Sequence, residues 1–241
     1  MGMKKAVCLL SGGLDSSTVL AYAINNGYEV FPISFDYGQR HKKELESSKK
    51  ICDYYNLNLK IVKIDLRSIG HSALTDNIDV PQNNIESIGN DIPVTYVPAR
   101  NTIFLSIAAA YAETFNANEI FIGANAIDYS GYPDCRPEYF NKMEEALSLG
   151  TVTGLKNGIK INVPLQYLTK SDIIKLGRKL NVPYNLTWSC YNGREKACGK
   201  CDSCLLRLKG FMEAKDFDDI EYEAYPDFYK KYMENKHFDK F

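Results

Sequence analysis

The apolar run KKAVCLL, residues 4 to 10, stops at the turn Ser11-Gly12-Gly13 and resumes as LDSSTVLAYAINN, residues 14 to 26. Leu14, Val19, Leu20 and Ala23 of that second segment recur at helical spacing, and Asn26-Gly27 ends it. A buried strand that turns through glycine directly into a helix predicts a parallel sheet, because the helix carries the chain back to start the next strand in the same direction. The alternation continues through strand EVFPISF, a charged helix from about residue 40 to 56, strand LKIVKID, helix RNTIFLSIAAAYAETFN, strand EIFIGAN, helix PEYFNKMEEALSLG and strand IKINVPLQ. A further helix, TKSDIIKLGRKLN, opens with Thr169 and Asp172 at capping-box spacing. This order predicts an α/β fold, doubly wound around a mainly parallel five-stranded sheet, whose ligands bind beyond the carboxyl ends of the strands. Residues 1–185 form the expected α/β domain, and residues 186–241 a C-terminal helical segment packed on it. Residues 66–96 lack periodicity and are rich in Asn, Asp, Ser, Gly and Pro, the pattern of a long loop or lid.

At 241 residues and 45% hydrophobic content the chain can bury a substantial core. Lys and Arg number 29 against 30 Asp and Glu, a net charge of −1, so no general field draws the protein to nucleic acid or to an anionic membrane. The first apolar run is too short for a signal-peptide core, position 6 is Ala6 rather than the hydroxyl a myristoylation signal needs, and no run is long enough to span a bilayer. The expected location is the cytoplasm. Oligomeric state is open between monomer and homodimer.

The turn at residues 11–13 is a phosphate cradle: glycine lets the backbone approach an anion, and the helix N-terminus that follows attracts negative charge. A Walker loop adds a lysine to hold the γ-phosphate; this loop offers the hydroxyls of Ser11, Ser16 and Ser17 instead, a set suited to pyrophosphate as leaving group. SGGLDSS resembles the SGGxDS signature of the PP-loop ATP pyrophosphatases, which cleave ATP between the α- and β-phosphates and transfer AMP to a substrate oxygen. The resemblance implies ATP contacts from Leu10, Ser11, Gly12, Gly13, Leu14, Asp15, Ser16 and Ser17. Asp15 either binds Mg²⁺ beside the pyrophosphate or favours the helix N-terminus. By analogy of fold, adenine lies against the end of the second strand, near Ser34, Phe35 and Asp36.

Four of the seven cysteines, Cys190, Cys198, Cys201 and Cys204, are separated by seven, two and two residues. Four soft thiolates fill a tetrahedron around Zn²⁺ and leave no position for water, so the metal is structural, one per chain; an iron–sulfur cluster is the alternative occupant of the same ligands. Cys8 and Cys52 read as packed thiols. Cys135 stands among specialised neighbours and is left without a role, as are His41, His71 and His237.

The loop GANAIDYSGYPDCRPEY, residues 123 to 139, follows the fourth strand and gathers more polar and aromatic groups than a plain connection requires. Together, SGGLDSS, VPARN at 97 to 101, DYSGYPDCR at 128 to 136 and the cysteine cluster resemble the 7-cyano-7-deazaguanine synthase family of queuosine biosynthesis, over residues 8 to about 208. The tail from Phe211 onward matches nothing specific. The resemblance implies conversion of 7-carboxy-7-deazaguanine, ammonia and ATP to the nitrile, with an adenylated acid and then an adenylated amide. It implies catalytic roles for Asp15, Ser16, Arg100 and Arg136, with the two guanidiniums pairing oxyanions, although Arg100 can equally serve a structural pair. Asp128, Tyr129, Asp134 and Arg136 become the substrate-binding group, and either Asp128 or Asp134 reads the deazaguanine edge. Two rivals remain: a PP-loop enzyme that adenylates a tRNA base for thiolation, which needs an RNA-binding surface and catalytic cysteines, and a nucleotide sensor that binds ATP without cleaving it.

Overall fold

The computed structural model describes residues 2–75, 92, 94–127 and 132–238, with side chains as far as residue 235. Its elements are β1 (Lys4–Leu9), α1 (Leu14–Asn25), β2 (Tyr28–Asp36), α2 (Lys43–Tyr54), β3 (Lys60–Lys63), α3 (Arg100–Glu113), β4 (Glu119–Phe121), α4 (Pro137–Gly150), α5 (Val152–Asn157), β5 (Lys160–Asn162), α6 (Lys170–Lys179), α7 (Asp202–Glu213) and α8 (Asp227–Phe238). The sheet order is β3-β2-β1-β4-β5 and every pairing is parallel. The expected α/β class and five strands are therefore present. The order reverses between β1 and β4, so a crevice opens at the carboxyl end of β1, where such sheets bind ligands.

Helices cover both faces, which is why β1 reads as a continuous apolar run rather than an alternating one. Ala6, Cys8 and Leu10 face a core with Leu20 of α1, Ile51 and Cys52 of α2, Ile173 of α6, Leu208 and Phe211 of α7, and Tyr229 of α8. Val7 and Leu9 face the other core, with Phe104, Leu105 and Ala108 of α3 and Phe140 of α4. Cys8 and Cys52 are buried in the first core, as packed thiols should be, and burial pushes the Cys52 thiol up to about 12. Of the loop expected at 66–96, residues 76–91 and 93 lie outside the described residues; its start forms a short turn over Leu66–Ser68.

The tail after Phe211, which the sequence left without a reading, folds against the cysteine segment. Asp218 receives Arg207 in bidentate fashion, Nε to Oδ2 at 2.6 Å and Nη2 to Oδ1 at 2.8 Å, with the two side chains only 2% and 3% exposed. Tyr222 donates its hydroxyl to the same carboxylate, and Arg207 donates its remaining hydrogens to Thr187 Oγ1, Ser189 Oγ and the Tyr184 carbonyl. Every hydrogen-bonding position of this buried pair is thus used, the condition under which such a pair is tolerated. Next to it Ala197 exchanges backbone hydrogen bonds with Glu221 and Glu223, and Gly199, at φ +71°, lies so close to the Ala224 carbonyl that an added Cβ would sit 1.7 Å from its oxygen.

Removing one member strands a buried charge, so Asp218→Asn is expected to lower the unfolding free energy by about 3–5 kcal/mol. Lys142→Ala, which deletes an exposed pair with Glu145, is expected to cost less than about 1 kcal/mol. Denaturant titration of the metal-loaded protein checks this, and equal effects of the two substitutions would remove the tail from the list of stabilising parts.

Candidate active site

The phosphate turn is built by tight backbone contacts. Gly12 adopts φ +87°, and a Cβ there would lie 2.2 Å from the Glu44 carbonyl oxygen and 2.7 Å from the Ser48 nitrogen, so only glycine lets α2 seat on the turn. Ser17 is fully buried, its hydroxyl donating to the Gly13 carbonyl at 2.7 Å. Ser16 Oγ accepts from the Ser11 amide at 3.2 Å and lies 3.0 Å from Ser11 Oγ. Above the turn is a cavity of about 300 Å³. Leu10, Ser11, Gly13, Leu14, Asp15, Ser16 and Phe35 line it, whereas Gly12 and Ser17 stand behind the wall and shape it. Phe35 already stacks one ring face on Phe104, with centroids 3.9 Å apart. Ser34 is buried and bonds the Leu10 carbonyl, tying the ends of β1 and β2 together.

A lysine reaches the loop that has none. Thr169 caps α6 by accepting from the Asp172 amide at 3.2 Å, which makes Lys170 the first helical residue. Its stem crosses Gly210 of α7, where an added Cβ would come within 2.3 Å of Lys170 Cγ. Its Nζ lies 2.8 Å from both carboxylate oxygens of Asp15, 155 positions away in sequence. With the side chains only 11% and 27% exposed, solvent screens this pair poorly. Asp15, read from sequence as a Mg²⁺ ligand or a helix-terminus charge, is thus occupied by an ammonium. Among the described residues, the four cysteines form the only cluster of three or more potential metal ligands.

The facing wall comes from α3 and the loop after β4. Ala99 sits in the left-handed region at φ +52°, unusual for a residue with a side chain, and its amide donates to Tyr96 Oη at 3.0 Å. This corner makes Arg100 the first residue of α3 and turns it to the cavity. Burial opposes the Arg100 charge, but Tyr37, Tyr132, Cys135 and Asp134 around it outweigh that and hold its pKa above the usual value. Asp134 is buried and caps α3, its Oδ2 accepting from the Asn101 amide at 3.0 Å, and it is not part of the cavity wall. Arg136 is exposed at the start of α4, also outside the wall. Asp128 and Tyr129 lie outside the described residues. Cys135 does line the cavity; burial, with Asp134 adding, pushes its thiol up to about 11 and keeps it protonated.

Glu44, on the first turn of α2, also lines the cavity. Burial pushes its carboxyl up to about 7, against the pull of Arg100. Sequence reading singled out neither Lys170 nor Glu44. The signal available for Lys170 was its place at a helix start directly after the fifth strand, the edge where this fold gathers its site; Glu44 sits in a charged helix where nothing marks it from its neighbours.

The four predicted cysteines converge. Their sulfurs all lie within 4.8 Å of one another, and all four residues are buried. A tetrahedral ion with metal–sulfur bonds near 2.3 Å sets its sulfurs about 3.8 Å apart, and Cys198 and Cys204 are 3.9 Å apart. Backbone amides of Asn192 and Cys198 point at Cys190 Sγ, and those of Lys200 and Cys201 at Cys198 Sγ, which favours thiolates. The cluster therefore fits a metal ion. It is joined to the phosphate turn through Trp188, whose amide donates to the Gly12 carbonyl at 2.9 Å and whose indole donates to the Cys190 carbonyl at 3.0 Å.

A parallel sheet with a glycine phosphate turn at its switch point, flanked by an imported lysine and a buried arginine, defines an ATP-dependent enzyme of ligase type. Residues 5–215 match the family model of queuosine biosynthesis protein QueC, and the chain belongs to that family. It is 89% identical to the 7-cyano-7-deazaguanine synthase of Picrophilus torridus, over 99% of this chain and 100% of that one. It is 71% identical to the synthase of Thermoplasma acidophilum over 98% of this chain and 99% of that one, and 58% identical to that of Acetivibrio thermocellus over 91% and 98%. The resemblance carried by the four motifs is borne out.

Lys170→Met keeps the stem over Gly210 and removes the charge. It is expected to lower ATP consumption about 100-fold or more, the usual cost of deleting one charge-stabilising donor from an active site, with the melting temperature little changed. A steady-state AMP assay beside a thermal melt checks this; full activity would make the Asp15 contact merely structural.

Proposed function

We propose that the chain converts 7-carboxy-7-deazaguanine, ammonia and ATP into 7-cyano-7-deazaguanine, with AMP and pyrophosphate as the other products. The observation that carries this reading is 89% identity over 99% of the chain to a synthase of that name. The chemistry suits the site. A carboxylate oxygen is a poor leaving group until it is adenylated, so it attacks the α-phosphorus and expels pyrophosphate. Ammonia then displaces AMP to give the amide. The amide oxygen is adenylated by a second ATP, and its departure on AMP leaves the nitrile.

Each residue has a task in this scheme. The amides at the start of α1, with Ser11, Ser16 and Lys170, hold the pyrophosphate as it departs; Asp15 orients Lys170. Arg100 pairs with the carboxylate and the α-phosphate. Asp128, Tyr129 and Arg136 remain assigned to the deazaguanine end on their motif alone. Mg²⁺ travels with the ATP phosphates. Cys190, Cys198, Cys201 and Cys204 hold Zn²⁺, whose role is structural because four thiolates leave it no open position. The protein works in the cytoplasm on small molecules, and its net charge of −1 provides no field for a nucleic-acid partner. The tRNA-thiolation rival would need a reactive cysteine, and a protonated Cys135 is a poor nucleophile.

Two AMP should appear per nitrile, without ADP, and ¹⁸O placed in the carboxylate should be recovered in AMP phosphate. Mass spectrometry of the products decides it: ADP with orthophosphate would mean γ-transfer and refute the reading of the phosphate turn. One zinc per chain is expected by elemental analysis, and Cys201→Ala should lose both the metal and much of the stability, since structural zinc contributes about 10 kcal/mol of folding free energy in small sites. Retention of full zinc in that variant would refute the ligand assignment.

A further inference from the structure

Attack of ammonia on an acyl adenylate forms a C–N bond, breaks the C–O bond to AMP and leaves one surplus proton on nitrogen. Something in the cavity must receive that proton. We propose that Glu44 is the proton acceptor for the ammonia step, a catalytic role that rests on the amide-forming reaction described above.

Placement supports this. Glu44 is the second residue of α2, and its carbonyl is pressed on Gly12, so its position is locked to the phosphate turn on which the adenylate forms. The side chain lines the same cavity as Ser11, Asp15 and Arg100, and among the described residues no hydrogen-bond donor engages its carboxylate.

The other candidates in the wall are already spent or unsuited. Both oxygens of Asp15 are held by Lys170. Asp134 caps α3 from outside the cavity. The Cys135 thiol and the Tyr37 hydroxyl are pushed up to about 11 and about 12, mainly by burial, so both are protonated at neutral pH and have no lone pair with the needed basicity. His41 also lines the wall, but its ring is tied to the backbone at Cys190 and Tyr191 and burial lowers its pKa below the ordinary imidazole value, which makes it a weaker proton acceptor than Glu44.

The charged and titratable groups around Glu44 act in a definite sense. Arg100 from α3 favours its ionised form; Lys170 across the turn is paired with Asp15, while Tyr37 at the end of β2 and Tyr132 and Cys135 after β4 are neutral; Arg40 and His41 precede it in its own segment. Burial outweighs these and brings the carboxyl up to about 7. Such a group is ionised often enough to accept a proton and basic enough to keep it until solvent removes it. Its basic form appears as pH rises through about 7, so the ammonia step should accelerate over that interval at constant free ammonia.

The experiment separates the two half-reactions in the full-length, zinc-loaded enzyme. Carboxylate-driven exchange of labelled pyrophosphate into ATP, with ammonia omitted, reports adenylation alone; amide and nitrile formation with ammonium reports the step that needs the base. Glu44→Gln should keep exchange within a few-fold of wild type and lose about 100-fold or more in amide formation, together with the pH limb near 7 seen in wild type. Glu44→Asp should retain the limb with a reduced rate. Equal losses in both half-reactions of Glu44→Gln, or amide formation undiminished, would overturn the assignment. A wild-type enzyme inert in exchange would instead remove the substrate reading on which the inference rests.

Discussion

The structure depends on how tightly the turn Ser11–Gly13 is sandwiched. On one side α2 presses its Glu44 carbonyl against Gly12; on the other the Gly12 carbonyl accepts the Trp188 amide. Because there is no side chain at Gly12, three distant parts of the chain meet within a few ångströms: the strand-to-helix turn, the first turn of α2 and the segment leading to the cysteines. Any residue larger than glycine would drive α2 outward and with it the wall that carries Glu44. The site is therefore a consequence of backbone packing before it is one of side-chain chemistry.

Four carboxyl groups near this centre show how environment assigns roles. Asp15 has its charge matched by Lys170, Asp218 by Arg207, and Asp134 accepts from the Asn101 amide in the first turn of α3. Glu44 lines the cavity beside Asp15 but without a matching donor, with burial as its dominant influence and the nearby Arg100 set against it. The first three are engaged by specific donors, so they position other groups; the carboxyl of Glu44, which no donor engages among the described residues, is the one proposed to exchange a proton. Chemically similar side chains thus do different work because of what surrounds them.

The cysteine segment and the tail belong to the same argument. The cluster at Cys190–Cys204 closes the chain against Trp188, and the tail closes over the cluster through Ala197, Gly199 and the Arg207–Asp218 pair. Arg207 also bonds Thr187 and Ser189, which flank Trp188. A cysteine-bearing segment far from the sheet in sequence thereby becomes one wall of the cavity above the Ser11–Gly13 turn. That explains how residues beyond the family match at 215 contribute to a site they never touch.

Much was legible in the chain itself. Alternating apolar and helical periodicity determined the doubly wound sheet, the Ser-Gly-Gly turn marked the floor of the cavity, and cysteine spacing marked a cluster of four converging cysteines, because each of these is set by local geometry over a few residues. Gly12 and Ser17 read equally well as ligand contacts and turned out to stand behind the wall, since one motif contains both the surface and its scaffold. Asp134 and Arg136 lie in the same short stretch as Cys135, yet only Cys135 faces the cavity; which way each points depends on α3 and α4 packing around them. Lys170 and Glu44 could be found only in three dimensions. Sequence determines which residues precede a helix or follow a strand, but the distance from Lys170 to Asp15, or from Glu44 to the phosphate turn, is decided by how helices on one face of the sheet pack against each other, and that is a property of the whole core.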